Sequence, residues 1–181
     1  RLYEELSTVD ELTGLHNRRF FFPEADAAIA QALRHELPLC LLVADLDHFK
    51  LINDHHGHAV GDRVLKAVAQ VLRVETREGD VLARFGGEEF VLMLPNTTIA
   101  GAKILAERVR LRVQDLRWPA GDEEVRVTIS IGTACLDLGR RQRGRERTDE
   151  LLAQADKALY HCKYAGRNRV TTYETLRTQA L

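Results

Sequence analysis

Leu39-Cys40-Leu41-Leu42-Val43-Ala44 is an unbroken apolar run, opened by Pro38 and closed by Asp45-Leu46-Asp47. Runs of this kind read as a strand covered on both faces, so the chain is predicted to bury a sheet between helices. Upstream, Asn17 is a predicted cap for a helix to about residue 35. Downstream, a short helix is expected around 48–54. Val64, Leu65, Val68, Val71 and Leu72 then recur at helical spacing on one face, and 77–80 ends that helix. Strands are predicted over 81–85 and 88–94 with Gly86-Gly87 as a two-residue turn. A helix follows over 99–114 with Ile104, Leu105 and Val109 inward. Residues 118–122 read as a turn. The alternation of Val127, Ile129 and Ile131 with Thr128 and Ser130 reads as a strand, with Gly132 as a bend. A loop over 139–147 rich in Arg and Gly leads to a helix from 148 to about 165, stopped by Gly166, and a last short strand over 169–173. The order is helix, strand, helix, helix, strand, strand, helix, strand, helix, strand. It predicts an α/β class fold, one sheet with helices packed against it.

Composition narrows the partners. The 181 residues suffice for about one domain. With 26 Lys+Arg against 27 Asp+Glu, the chain is nearly neutral, which argues against nucleic acid as the main partner. Cys40, Cys135 and Cys162 are odd in number, far apart and form no CxxC pair, a pattern expected of reduced thiols in a cytoplasmic domain. No apolar run approaches the roughly 18 residues of a membrane span, so no membrane contact by this domain is expected. Residues 1–7 have helical spacing without an initiator methionine and read as the end of an upstream helix, implying an N-terminal module.

The candidate chemistry gathers at the end of the apolar run. Were the strands bearing Asp45 and Glu88 neighbours, two carboxylates would share one sheet end and could hold magnesium beside a polyphosphate. Asp47 is the more obvious cap for the short helix that follows. His55, His56 and His58 could suggest zinc, but no matching Cys or His cluster stands elsewhere in the sequence. The 140–147 arginine run reads as a solvated loop, and nothing places a base beside Cys162.

Gly86-Gly87-Glu88-Glu89-Phe90, with Asp45-Leu46-Asp47-His48-Phe49-Lys50 and Asn53-Asp54 upstream, resembles the GGDEF domain of the diguanylate cyclase family. Asp10–Arg19, Gly57-His58-Ala59-Val60-Gly61-Asp62 and Lys163-Tyr164-Ala165-Gly166-Arg167-Asn168 resemble its other signatures in the same order. Glu88 replaces the name-giving Asp, a variant that active members also carry. The resemblance implies a ferredoxin-like, nucleotidyl-cyclase-like fold: a mostly antiparallel sheet of about five strands flanked by helices. It places a catalytic domain over 8–175 and a tail over 176–181.

It also implies roles. Asp45, the Leu46 carbonyl and Glu88 fall on metal positions for two Mg²⁺ ions per half-site, with Mn²⁺ able to substitute. Glu88 is further implied as the base toward a ribose 3′-hydroxyl, with Glu89 supporting and Lys50 neutralising phosphate charge. The amides of His48, Phe49 and Lys50, the Gly86-Gly87 turn, and Lys163 and Arg167, four apart on one expected helix face, are implied phosphate ligands. Asn53 and Asp62 fall on base-reading positions and their chemistry suits guanine, hence GTP. The implied reaction joins two GTP into cyclic di-GMP with release of two pyrophosphates, needs a homodimer, and answers to an upstream sensory module. Arg77, Asp80 and Arg108 match an inhibitory product-binding motif. The competing expectation is a catalytically silent module that binds GTP or cyclic di-GMP.

Overall fold

The computed structural model describes residues 7–139 and 145–180. Its elements run α1 (Arg18–His35), β1 (Leu39–Leu46), α2 (Phe49–His56), α3 (His58–Glu75), β2 (Val81–Gly86), β3 (Glu89–Pro95), α4 (Ile99–Gln114), β4 (Trp118–Ala120), β5 (Glu123–Val125), β6 (Ile129–Cys135), α5 (Arg145–Tyr164), β7 (Val170–Thr172) and α6 (Tyr173–Gln179). Five strands form one sheet in the order β2-β3-β1-β6-β7, antiparallel except for the parallel pair β6–β7. β4 and β5 form a separate hairpin.

β1 lies at the centre, and its alternation builds the two layers of core. Cys40, Leu42, Ala44 and Leu46 join the helices α3 and α4 through Val64, Val68, Leu72, Ala102 and Val109. Leu39, Leu41 and Val43 point to the opposite face and meet Phe21, Ala25 and Ile29 of α1 and Leu151, Ala155 and Leu159 of α5. The unbroken apolar run thus reflects burial on both faces. Asn17 caps α1 by accepting from the Phe20 amide at 3.3 Å, and Thr98 caps α4 by accepting from Gly101 at 3.1 Å.

Several expectations are corrected. Within 118–122 only Gly121-Asp122 form the turn, since Trp118–Ala120 is a strand paired with Glu123–Val125, and α6 continues the chain beyond the last strand. Ile104 is 60% exposed; the inward face of α4 runs instead through Ala102, Leu105, Ala106, Val109 and Val113. Gly132 is no bend. A Cβ there would lie 2.2 Å from the Ala155 carbonyl oxygen and 2.3 Å from the Leu159 amide, so the glycine lets α5 lie directly on β6. Arg147 is buried and pairs with Glu150 and the Asp137 carbonyl rather than extending a solvated loop; residues 140–144 of that run lie outside the described residues. Cys40 and Cys135, directly opposite each other in β1 and β6, form a disulfide, and Cys162 is buried and free. The reduced-thiol expectation therefore fails for two of the three cysteines. A separation of 95 residues hid a pairing that only the β1–β6 register brings together.

Candidate active site

The site lies where β1 and β3 end side by side. Asp45 is the register partner of Glu89, and the Leu46 amide donates to the Glu88 carbonyl oxygen at 3.3 Å. Because odd-numbered β1 residues face α1 and α5, Asp45 is delivered to that layer. The hairpin turn is Gly87-Glu88, closed by the pair Gly86↔Glu89, one residue later than predicted. A register shift between Arg84 and Gly86 absorbs the difference. Gly86 and Gly87 adopt φ of 140° and 49°, conformations that a side chain would strain.

Arg84 secures this turn. Its Nε and Nη2 donate to the Gly87 carbonyl at 2.9 and 2.7 Å, while Nη1 reaches both Asp10 carboxylate oxygens at 3.1 Å. Asp10 also accepts from the Thr13 amide at 2.9 Å and hydroxyl at 2.6 Å. Burial by itself would raise the Asp10 carboxyl, but the Thr13 hydrogen bonds and then Arg84 outweigh it and hold the group below the ordinary carboxylate range.

The carboxylates at the strand ends behave oppositely. Burial, reinforced by the charges of Glu88 and Asp47, raises Asp45 although Lys163 Nζ lies 2.7 Å from its Oδ2 and opposes the shift. Glu89 is raised by burial and then by Asp156 and Asp45, against Arg18 and Lys163. Asp156 is raised by burial, against the same two cations. Such an oxygen-only, partly desolvated set of acids favours a hard cation, and an ammonium already sits against Asp45; these donors fit magnesium. Asp156 and Arg18 were not singled out from sequence. Asp156 stands seven residues before Lys163 on α5, two turns along one face, which is the signal that could have found it. Arg18 lies in the opening segment, its guanidinium 4.6 Å from the Phe85 ring centroid.

Asp47 does not cap α2. Buried, it accepts from the Thr128 and Ser130 hydroxyls, each at 2.7 Å, and from the Asn168 amide at 3.0 Å. The cap position of α2 is His48, at φ 55°, with no side-chain cap. Leu51 returns its amide to the His48 carbonyl at 3.0 Å, so the amides of Phe49 and Lys50 precede the first bond of the helix. Phe49 packs into the core and Lys50 is exposed.

One turn further along α2, Asn53 Oδ1 is a buried oxygen without a hydrogen-bond partner, and a Cβ on Gly61 would lie 1.8 Å from it. The glycine makes room for the amide, and the exposed Asp62 follows it on α3. Asp62 thus stands one residue after the glycine that packs against Asn53. Lys163 and Arg167 do not share a helix face: α5 ends at Tyr164, and Arg167 lies in the following turn at φ 64°, its amide bonded to the Cys162 carbonyl.

A second constellation lines a cavity of about 380 Å³ between the 75–80 segment and α4. Asp80 receives the Arg77 amide at 2.8 Å, and Arg77 Nη2 donates to the Pro95 carbonyl and Thr97 Oγ1 at 3.1 and 2.9 Å. Arg108 is bound to Glu75 at 2.8 Å, and Arg112 holds the other Glu75 oxygen at 2.9 Å. Glu75 was missed in the sequence because it lies just outside the Arg77–Asp80 motif.

Comparison with known proteins identifies the family of the chain. A profile described as diguanylate cyclase, GGDEF domain, matches residues 7–169. Diguanylate cyclase A of Treponema denticola is 39% identical over 170 residues, covering 92% of this chain and 44% of that protein. The response regulator PleD of Caulobacter vibrioides is 41% identical over 169 residues, 92% of this chain and 36% of its own. The chain thus spans less than half the length of these curated relatives. Among solved structures, the GGDEF domain of DgcB from Caulobacter crescentus, in complex with c-di-GMP, superposes with a TM-score of 0.84 at 36% identity, covering 93% of this chain and 96% of that one. The active GGEEF domain of a diguanylate cyclase from Vibrio cholerae gives 0.78 at 34% identity, covering 87% and 96%. This chain belongs to the GGDEF domain, diguanylate cyclase family.

Proposed function

We propose that this chain is a diguanylate cyclase half-site, joining two GTP molecules into cyclic di-GMP and two pyrophosphates. The observation that carries the reading is the meeting of Asp45 with the Glu88-Glu89 turn across β1 and β3, with Lys163 against Asp45. In each half-reaction the 3′-hydroxyl oxygen of one GTP bonds to the α-phosphorus of the other. The bond from that phosphorus to the bridging β-phosphate oxygen breaks and pyrophosphate leaves. Glu88 takes the hydroxyl proton and Lys50 offsets charge on the phosphates. Asp45, the Leu46 carbonyl and Glu88 would hold two Mg²⁺ ions, which supply Lewis-acid stabilisation of the attacking and leaving oxygens. Phe49 and Lys50 amides, with Arg167 and a released Lys163, bind phosphate oxygens, and Asn53 and Asp62 read the guanine edge. Both phosphodiester bonds require two such sites face to face, so catalysis needs a homodimer.

The cavity around Arg77, Asp80 and Arg108 is read as a product-binding inhibitory site: cationic forks suit phosphates and a carboxylate suits guanine N–H donors. Arg77→Ala is expected to relieve inhibition by cyclic di-GMP while retaining synthesis, measured as initial rate against added product. The reading as a whole is tested by incubating the chain, dimerised through a fused leucine zipper, with GTP and Mg²⁺ and following dinucleotide and pyrophosphate. Formation of cyclic di-GMP with two pyrophosphates supports it. GTP binding without product would favour the silent receptor module.

A further inference from the structure

His55 and His56 close helix α2, and the β4–β5 hairpin brings Glu123 to them although it lies 68 positions after His55 in sequence. Glu123 Oε2 lies 3.2 Å from His55 Nε2 and 4.0 Å from His56 Nδ1. One ligand atom from each of the three residues lies within 4.8 Å of the others. The imidazoles stand edge to face, ring centroids 4.6 Å apart, and each turns a ring nitrogen, His55 Nε2 and His56 Nδ1, toward the same Glu123 oxygen. A single histidine would suffice for a surface hydrogen bond to Glu123. A second ring directed to the same carboxylate oxygen is what such a bond does not require.

Two imidazoles and a carboxylate are the donor set of borderline-soft divalent ions rather than of magnesium. With metal–nitrogen and metal–oxygen bonds near 2.0–2.1 Å, tetrahedral ligands stand about 3.3 Å apart, a spacing that His55 and Glu123 already have. His56, whose side chain is 16% exposed, reaches it by a side-chain movement of under about 1.5 Å. The neighbouring acid Glu124 is held by Arg126 at 3.2 Å and Arg117 at 3.8 Å, which leaves solvent to fill the fourth position. The magnesium-suited carboxylates are of another kind, oxygen donors gathered on β1 and β3.

We infer that His55, His56 and Glu123 form a binding site for Zn²⁺ or a like late first-row divalent ion, tying the end of α2 to the β4–β5 hairpin. Asn53 stands two residues before His55 on the same helix, so filling the site fixes the turn of α2 that carries its unpartnered amide oxygen.

The test is calorimetric titration of the chain with ZnCl₂ in the presence of millimolar MgCl₂, which occupies oxygen-only sites. One equivalent is expected to bind, with affinity reduced at least about tenfold in each of His55→Ala, His56→Ala and Glu123→Gln. Amide resonances of ¹⁵N-labelled wild-type chain read the same event without any substitution, and Zn²⁺ is expected to shift residues 53–57 and 121–125 first. Unchanged affinity in any of the three variants, or first shifts centred elsewhere, overturns the site. Absence of stoichiometric Zn²⁺ binding by the wild-type chain overturns it equally.

Discussion

Arg84 divides its guanidinium between the Asp10 carboxylate and the Gly87 carbonyl, so an opening motif and a central one are two ends of a single clamp. Asp10→Asn is expected to destabilise the fold by about 1.5–3 kcal/mol near neutral pH, the range of a hydrogen bond to a charged group. The Asp10 carboxyl is depressed in the folded chain, so its contribution is complete above the unfolded value near 4 and is lost as pH falls through the folded one. Urea denaturation of both proteins over a pH series should show their difference shrinking into acid. Glu75 makes the converse case. It holds Arg108 and Arg112, the first of which the inhibitory reading needs free for phosphate. Glu75→Gln should lower the inhibitory constant of cyclic di-GMP roughly two- to fivefold, the equivalent of one ion pair worth up to about 1 kcal/mol. Of these residues, Asp45 and Glu88 were legible in the sequence because acids ending an apolar run, and acids beside paired glycines, are unusual locally. Glu75, Asp156 and Arg18 were not, since each is an ordinary charge on a helix until tertiary packing supplies its neighbour.

Among elements, the strongest periodic signals were read well: α1 and α4 end within a residue or so of where capping and spacing put them. Weaker signals failed for identifiable reasons. The turn at the site slipped by one residue because a bulge before Gly86 cannot be seen in local composition. β4 and β5, three residues each, are too short to show alternation, and Lys163 and Arg167 part company because the helix stops three residues before the arginine. Gly132 reads as a bend by rule of thumb, whereas its place under α5 depends on a helix that arrives later in the chain. Gly132→Ala should therefore push α5 from the sheet and cost about 1–3 kcal/mol or more, measured by thermal unfolding. A true bend would tolerate it better.

At the scale of the molecule, one sheet delivers Asp45 and the Glu88-Glu89 turn to one end, while the Arg77 cavity lies beside α4. A single copy carries one nucleotide site on this reading, so specific activity without the zipper should rise with protein concentration until dimers saturate. The disulfide between β1 and β6 removes the cysteine argument for a reducing compartment. The direct test of the central claim is turnover of GTP by the zipper-dimerised chain carrying Glu88→Gln, beside the unsubstituted dimer, at saturating Mg²⁺. Cyclic di-GMP is expected from the unsubstituted dimer, and a loss of at least about 100-fold in the variant, which removes the proposed proton acceptor and metal ligand. Synthesis at an undiminished rate by Glu88→Gln would contradict it.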